Sequence, residues 1–141
     1  MNLTQNFTLS ELTRSETASR LHINNNPGTI PIQNLQKLCD SILQPLRNAY
    51  GKPIFVNSGY RSPTLNKAIG GATNSQHMLG QAADITAKNN TSMEDKRAAN
   101  KQLFYLILAL DLPFDQLINE KNFSWIHVSF GPRNRRQILH L

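Results

Sequence analysis

The chain has 141 residues, 39% of them hydrophobic and 17% charged, with 15 basic side chains against 9 acidic ones and a net charge of +6. That composition suits one folded domain with a sizeable core and excludes collagen-like, low-complexity and disordered chains. The single cysteine, Cys39, excludes an internal disulfide and any multi-cysteine zinc cluster, so a bound metal would have to be held by histidine and carboxylate.

The opening MNLTQNFTLSELTRSE has no basic stretch leading into an apolar run, and nothing reaches the roughly 18 apolar residues of a membrane span. The chain is therefore expected to have no membrane span and to be made in the cytoplasm. Residues 1–30 read as an N-terminal brace: a short helix around LSELTRSETASRL, starting near Ser10, and then the breaker-rich NNNPGTIP. From Ile32 to Tyr50, apolar residues at helical spacing predict a helix kinked at Pro45 and closed by Gly51, with Cys39 as a small core residue.

Residues 54–57 read as a strand that runs into the turn SGYRS. PTLNKAIGGATNSQHMLG is loop and broken helix with Gly70 and Gly71 as a hinge, and AADITA is a short strand. MEDKRAANKQLFYLILAL predicts a helix whose buried stripe is Ala98, Leu103, Leu106, Ile107 and Leu110. DQLINE and WIHVSF, joined by KNFS, form a hairpin in this reading. Two main helices against a small antiparallel sheet make the fold α+β, a single domain over residues 1–141 with a cleft for the site.

Chemistry concentrates in two stretches. SQHMLGQAADI places His77 and Asp84 close together, and alternation in WIHVSF turns His127 away from the face of Ile126 and Val128. These are either scattered polar residues or the three protein ligands of a zinc ion that keeps an open fourth position for water. If KNFS is a four-residue hairpin loop, Glu120 pairs with Trp125 and shares a face with His127, diagonally about 7–8 Å away. A loop one residue longer or shorter would turn Glu120 to the other face.

SGYRSPTLNKAIGGATNSQHMLGQAADI followed by WIHVSF resembles the M15 family of zinc D-alanyl-D-alanine peptidases, which includes phage lysins. The family motif of serine, any residue, histidine, then glycine, alanine and aspartate at fixed gaps is matched by Ser75, His77, Gly80, Ala82 and Asp84. His127 matches the second histidine on a late strand, and the likeness covers about residues 7 to 131. The resemblance implies one zinc ion held by His77, Asp84 and His127, with Arg61 of SGYRS meeting the substrate or the oxyanion. Ser75 and Gln76 then support the ligands rather than react, Ser75 lies at the substrate cleft, and Tyr60 and Asn66 line it.

The chain departs from the family where many relatives carry an acid three positions before the last histidine, because that position is Ser124. Glu120 is therefore expected to be the general base, with Asp115 as the fallback. The implied activity is hydrolysis of peptidoglycan stem peptides by a monomer, of carboxypeptidase or endopeptidase type, acting on the cell wall after release or export. The alternative is a non-catalytic zinc or wall-binding module such as a phage structural component. The run RNRR at 133–136 reads as a solvated basic face, and no nucleic-acid partner is expected.

Overall fold

The computed structural model describes residues 1–141. The first segment forms two short helices, α1 (Leu9–Thr13) and α2 (Glu16–Arg20), instead of one. Thr8 rather than Ser10 starts α1, through a capping box in which Thr8 and Glu11 satisfy each other's backbone N–H groups. The Ser15 side chain accepts from Ala18 N and so begins a new helix where one continuous helix was expected. Phe7 and Leu12 are buried in the core, and Tyr60 N donates to Leu12 O at 2.7 Å, so this region braces the turn that follows the first strand.

The long helix begins at Thr29 and is built from α3 (Thr29–Leu38), a π turn (Cys39–Leu43) and α4 (Gln44–Tyr50). The π turn is how the chain accommodates Pro45. A prolyl ring collides with the carbonyl four residues earlier, and the wider turn, with Gln44 N donating to Cys39 O, relieves that clash. Gly51 closes the helix at φ 74, a left-handed position open to glycine. Cys39 is fully buried and burial pushes its thiol pKa up to about 12, which makes it an inert core side chain.

Strands β1 (Phe55–Ser58), β2 (Ala82–Thr86), β3 (Gln116–Glu120), β4 (Trp125–Ser129) and β5 (Gln137–His140) form one sheet in the order β1-β2-β4-β3-β5. The sheet is mixed rather than antiparallel throughout, because β5 pairs parallel to β3. β5 follows directly on RNRR and was not expected. Two of those arginines are tied down internally: Arg135 binds Asp115, and Arg136 binds Asp111 and Leu112 O and lies over the Phe114 ring.

The period of two sorts the sheet into two faces. Val56, Ala83, Ile85, Leu117, Ile126 and Val128 join Leu35, Leu38, Ile42, Leu43, Leu46, Leu103, Phe104 and Ile107 in a core cluster of 24 buried residues. The helical layer is completed by α5 (Pro63–Ala68) and α6 (Met93–Ala109). The buried side of α6 is Ala99, Asn100, Leu103, Phe104 and Ile107, while Ala98 and Leu110 are exposed. The expected stripe was displaced because a hydrophobic period assigns no inward place to Asn100.

Asn100 is fully buried, and its amide is satisfied on both ends. Its Oδ1 accepts from Ala87 N at 2.8 Å and Thr86 Oγ1 at 3.2 Å, and its Nδ2 donates to Phe123 O at 2.9 Å and Ser124 O at 3.2 Å. It thereby clips the β3–β4 loop to the end of β2. That loop needs the support: Lys121, Asn122 and Phe123 have φ of 47, 52 and 60, a left-handed run that costs about 1 kcal/mol per residue. Asn119 Oδ1 accepts from Phe123 N, and Lys121 N donates to Leu141 O at 2.8 Å. The loop has four residues, and the register pairs Glu120 with Trp125 and Ile118 with His127.

Replacing Asn100 with alanine is expected to lower stability by about 3 kcal/mol, since it strands a buried N–H and two half-buried carbonyls. Urea unfolding of the variant beside the parent protein reads this directly.

Candidate metal centre

Asp84 lies opposite His127 of β4 and opposite Ser58 of β1, so strand pairing alone brings the carboxylate and one imidazole side by side. His77 arrives from outside the sheet, on a 3-10 turn (Gln76–Leu79). Ser75 starts this turn by accepting from His77 N at 3.2 Å. Gly80 ends it at φ 72, against the Pro31 carbonyl, where a Cβ would collide. The spacing of serine, histidine and glycine is thus a capped single turn that projects one imidazole at the sheet.

The ligand atoms of His77, Asp84 and His127 all lie within 4.8 Å of one another. His77 Nε2 is 3.4 Å and His127 Nδ1 3.0 Å from Asp84 Oδ1. Tetrahedral zinc with bonds of about 2.1 Å separates its ligands by about 3.4 Å, so the donor set and its spacing fit that ion. The tautomer fits as well. His77 Nδ1 is 2.7 Å from Gly59 O, a carbonyl that only accepts, so Nδ1 carries the proton and Nε2 presents its lone pair.

Burial pushes the Asp84 carboxyl upward, but where protons rather than an ion occupy the facing nitrogens of His127 and His77, their hydrogen bonds and charge outweigh it and hold the group well below the usual carboxylate range. Arg61 Nη2 stands 3.4 Å from Asp84 Oδ2, the oxygen turned away from the histidines. Its Nε donates to Ser58 Oγ at 3.1 Å and its Nη1 to Asn66 Oδ1 at 3.3 Å. Burial lowers the Arg61 pKa while Asp84 raises it.

These groups open onto a cavity of about 440 Å³ lined also by Ser75, Gln116, Ile118, Glu120 and Trp125. Glu120 stands on the same sheet face as His127, as the four-residue loop requires. Asp115 does not open onto this cavity. It is 0% exposed, with Oδ1 accepting from Arg135 N and Nε at 2.8 and 2.9 Å and Oδ2 from Arg135 Nη2 and Gln76 Nε2 at 3.0 and 2.9 Å. It is a strut between β3, the His77 turn and the C-terminal segment.

Other residues sit apart from their expected places. Tyr60 is buried in the core cluster and does not line the cavity, and Asn66 is buried behind Arg61, its Nδ2 donating to Ala72 O at 2.8 Å. Gly71 packs against the Asn66 amide, where a side chain has no room, so its role is close approach rather than hinging. Ser124 belongs to the hairpin loop and donates to Lys121 O at 2.6 Å. Sequence reasoning missed Asn25, which donates to Thr13 O and Tyr60 O and accepts from Ser62 N, fixing the chain on both sides of Arg61.

The Asp115 pKa is held at about 2, chiefly by the Arg135 hydrogen bond against the cost of burial, with Gln76 helping. A depressed acid contributes stability above its ordinary value of 3.8 and loses it as pH falls through about 2. Asp115→Asn should therefore lower the urea midpoint at neutral pH and flatten its decline between about pH 4 and about pH 2. The parent protein, titrated in parallel, should show the steeper decline.

Residues 5–129 match the sequence profile of the peptidase M15 family. The zinc D-Ala-D-Ala carboxypeptidase of Streptomyces albus G is 46% identical over 72 residues, which is 50% of this chain and 28% of that relative. With the profile covering most of its length, the chain belongs to the peptidase M15 family.

Proposed function

We propose that the protein is a zinc-dependent peptidase that hydrolyses peptidoglycan stem peptides at a bond involving D-amino acids. The observation that carries this reading is the convergence of His77 Nε2, Asp84 Oδ1 and His127 Nδ1 beside a cavity that also receives the otherwise unpaired carboxylate of Glu120. The similarity to a zinc D-Ala-D-Ala carboxypeptidase supports the choice of metal and substrate class. His77, Asp84 and His127 hold the ion. Zinc so held supplies Lewis acidity and an acidified water near neutral pH.

Glu120 accepts the proton of the attacking water and returns it to the departing amine nitrogen, so one carboxylate serves as base and then acid. Arg61 is oriented by Ser58, Asn66 and Asp84 at once, and its fixed cation offsets the negative charge that develops on the carbonyl oxygen. Ser75 keeps the His77 turn wound at the cavity edge. The net charge of +6 favours approach to an anionic wall after release or export.

Release of D-alanine and cleavage of cross-links in purified peptidoglycan, with metal content assayed in parallel, test the proposal. His77→Ala should lose both zinc and hydrolysis. Glu120→Gln should keep stoichiometric zinc while turnover falls by about 10²–10⁴-fold. Stripping the ion with a chelator should abolish hydrolysis and lower the melting temperature, and added zinc should restore both. Zinc bound without cleavage of any wall substrate would instead make the protein a binding module.

A further inference from the structure

The cavity carries more positive charge than its ligands and base require, and the arginines that line it are not equivalent. Arg61 is held by Asp84, Ser58 and Asn66, and Arg135 is spent on both oxygens of Asp115. Arg133 has no such commitment. Its side chain is 60% exposed, it lines the cavity, and its nearest acid is Asp115 Oδ2 at 3.9 Å, an oxygen that already accepts from Arg135 and Gln76.

Position along β3 gives this free guanidinium a meaning. Gln116, Ile118 and Glu120 line the cavity on alternate residues, and Ile118 pairs with His127. Arg133 stands by Asp115, at the Gln116 end, while Glu120 stands at the other end, about 13 Å along the strand. The cavity is therefore polarised, with a free anion and a free cation on opposite sides of the three converging ligand residues. A guanidinium in such a place matches a carboxylate by paired hydrogen bonds.

We propose that Arg133 forms a subsite for a substrate carboxylate at the Gln116 end of the cavity, so that the favoured peptides carry a free acid close to the scissile amide on that side. This rests on the peptidase reading of the same cavity and narrows its substrates to acidic stem peptides. The Asp115–Arg135 pair supports the subsite by folding the segment that carries Arg133 against β3 and by consuming the neighbouring cation. Gln76, bonded to Asp115, couples the same strut to the turn that bears His77.

The test measures binding, by calorimetry on the zinc-loaded protein, of a D-alanyl-D-alanine-terminated peptide with a free C-terminus and of its C-terminal amide, for the parent and for Arg133→Gln. A charge-assisted pair predicts that the parent prefers the free acid by about tenfold or more and that the variant loses this preference while its affinity for the amide changes by less than about twofold. The parental preference should also shrink as salt is raised. Equal parental affinity for acid and amide, no binding of either, or an undiminished preference in Arg133→Gln would overturn the subsite. Cleavage of the amide by the parent in the same samples keeps the peptidase reading intact if the subsite fails.

Discussion

A carboxylate drawn into a partly dehydrated cleft has to be met by donors or a cation, and Asp84 is met from three directions. His127 reaches it across the β2–β4 pair, His77 reaches it from a capped turn above the sheet, and Arg61 takes the remaining oxygen from beyond β1. Each of these partners is itself held by something else. Gly59 O fixes the His77 ring, Ser58 and Asn66 fix Arg61, and the β3–β4 hairpin fixes the register of His127. Most of the polar structure on this side of the sheet is accounted for by the need to keep one buried charge satisfied in one geometry.

The other side of the sheet has a simpler task, which is to be stiff. Residues of β1, β2, β3 and β4 bury their alternate positions against the helix interrupted at Pro45 and against α6. Because strand side chains alternate, the packing that excludes water from Ile85 and Ile126 also presents Asp84 and His127 to the cavity. Core and site are thus two faces of one register. A slip of a single residue would bury the ligands and expose the core.

Buried and half-buried amides connect these two halves. Asn100 holds the left-handed hairpin loop, Asn25 holds the chain on both sides of Arg61, Asn66 orients Arg61 itself, and Gln76 joins the His77 turn to Asp115. An amide both donates and accepts, so it can fasten two backbones that belong to no common sheet or helix. The same neutrality hides it in a sequence. Asparagine and glutamine look like surface or turn residues, and neither a period of 3.6 nor one of 2 marks those that turn inward.

The α+β class, the two principal helices, the strands β1 to β4 and the grouping of His77, Asp84 and His127 were legible in the chain itself. Each rests on local order: hydrophobic periodicity, a capped turn, a four-residue hairpin loop, and a motif whose gaps match a known family. Even Glu120 was within reach, because hairpin arithmetic is local. Whether Asp115 is a base or a strut, whether Tyr60 faces a cleft or a core, and which arginine of RNRR is free depend on contacts between residues far apart in sequence. Those were decided only when Arg135 closed on Asp115, the N-terminal brace closed on Tyr60, and β5 came to lie along β3. Burial and charge pairing belong to the assembled surface around a side chain, and no stretch of chain contains that surface by itself.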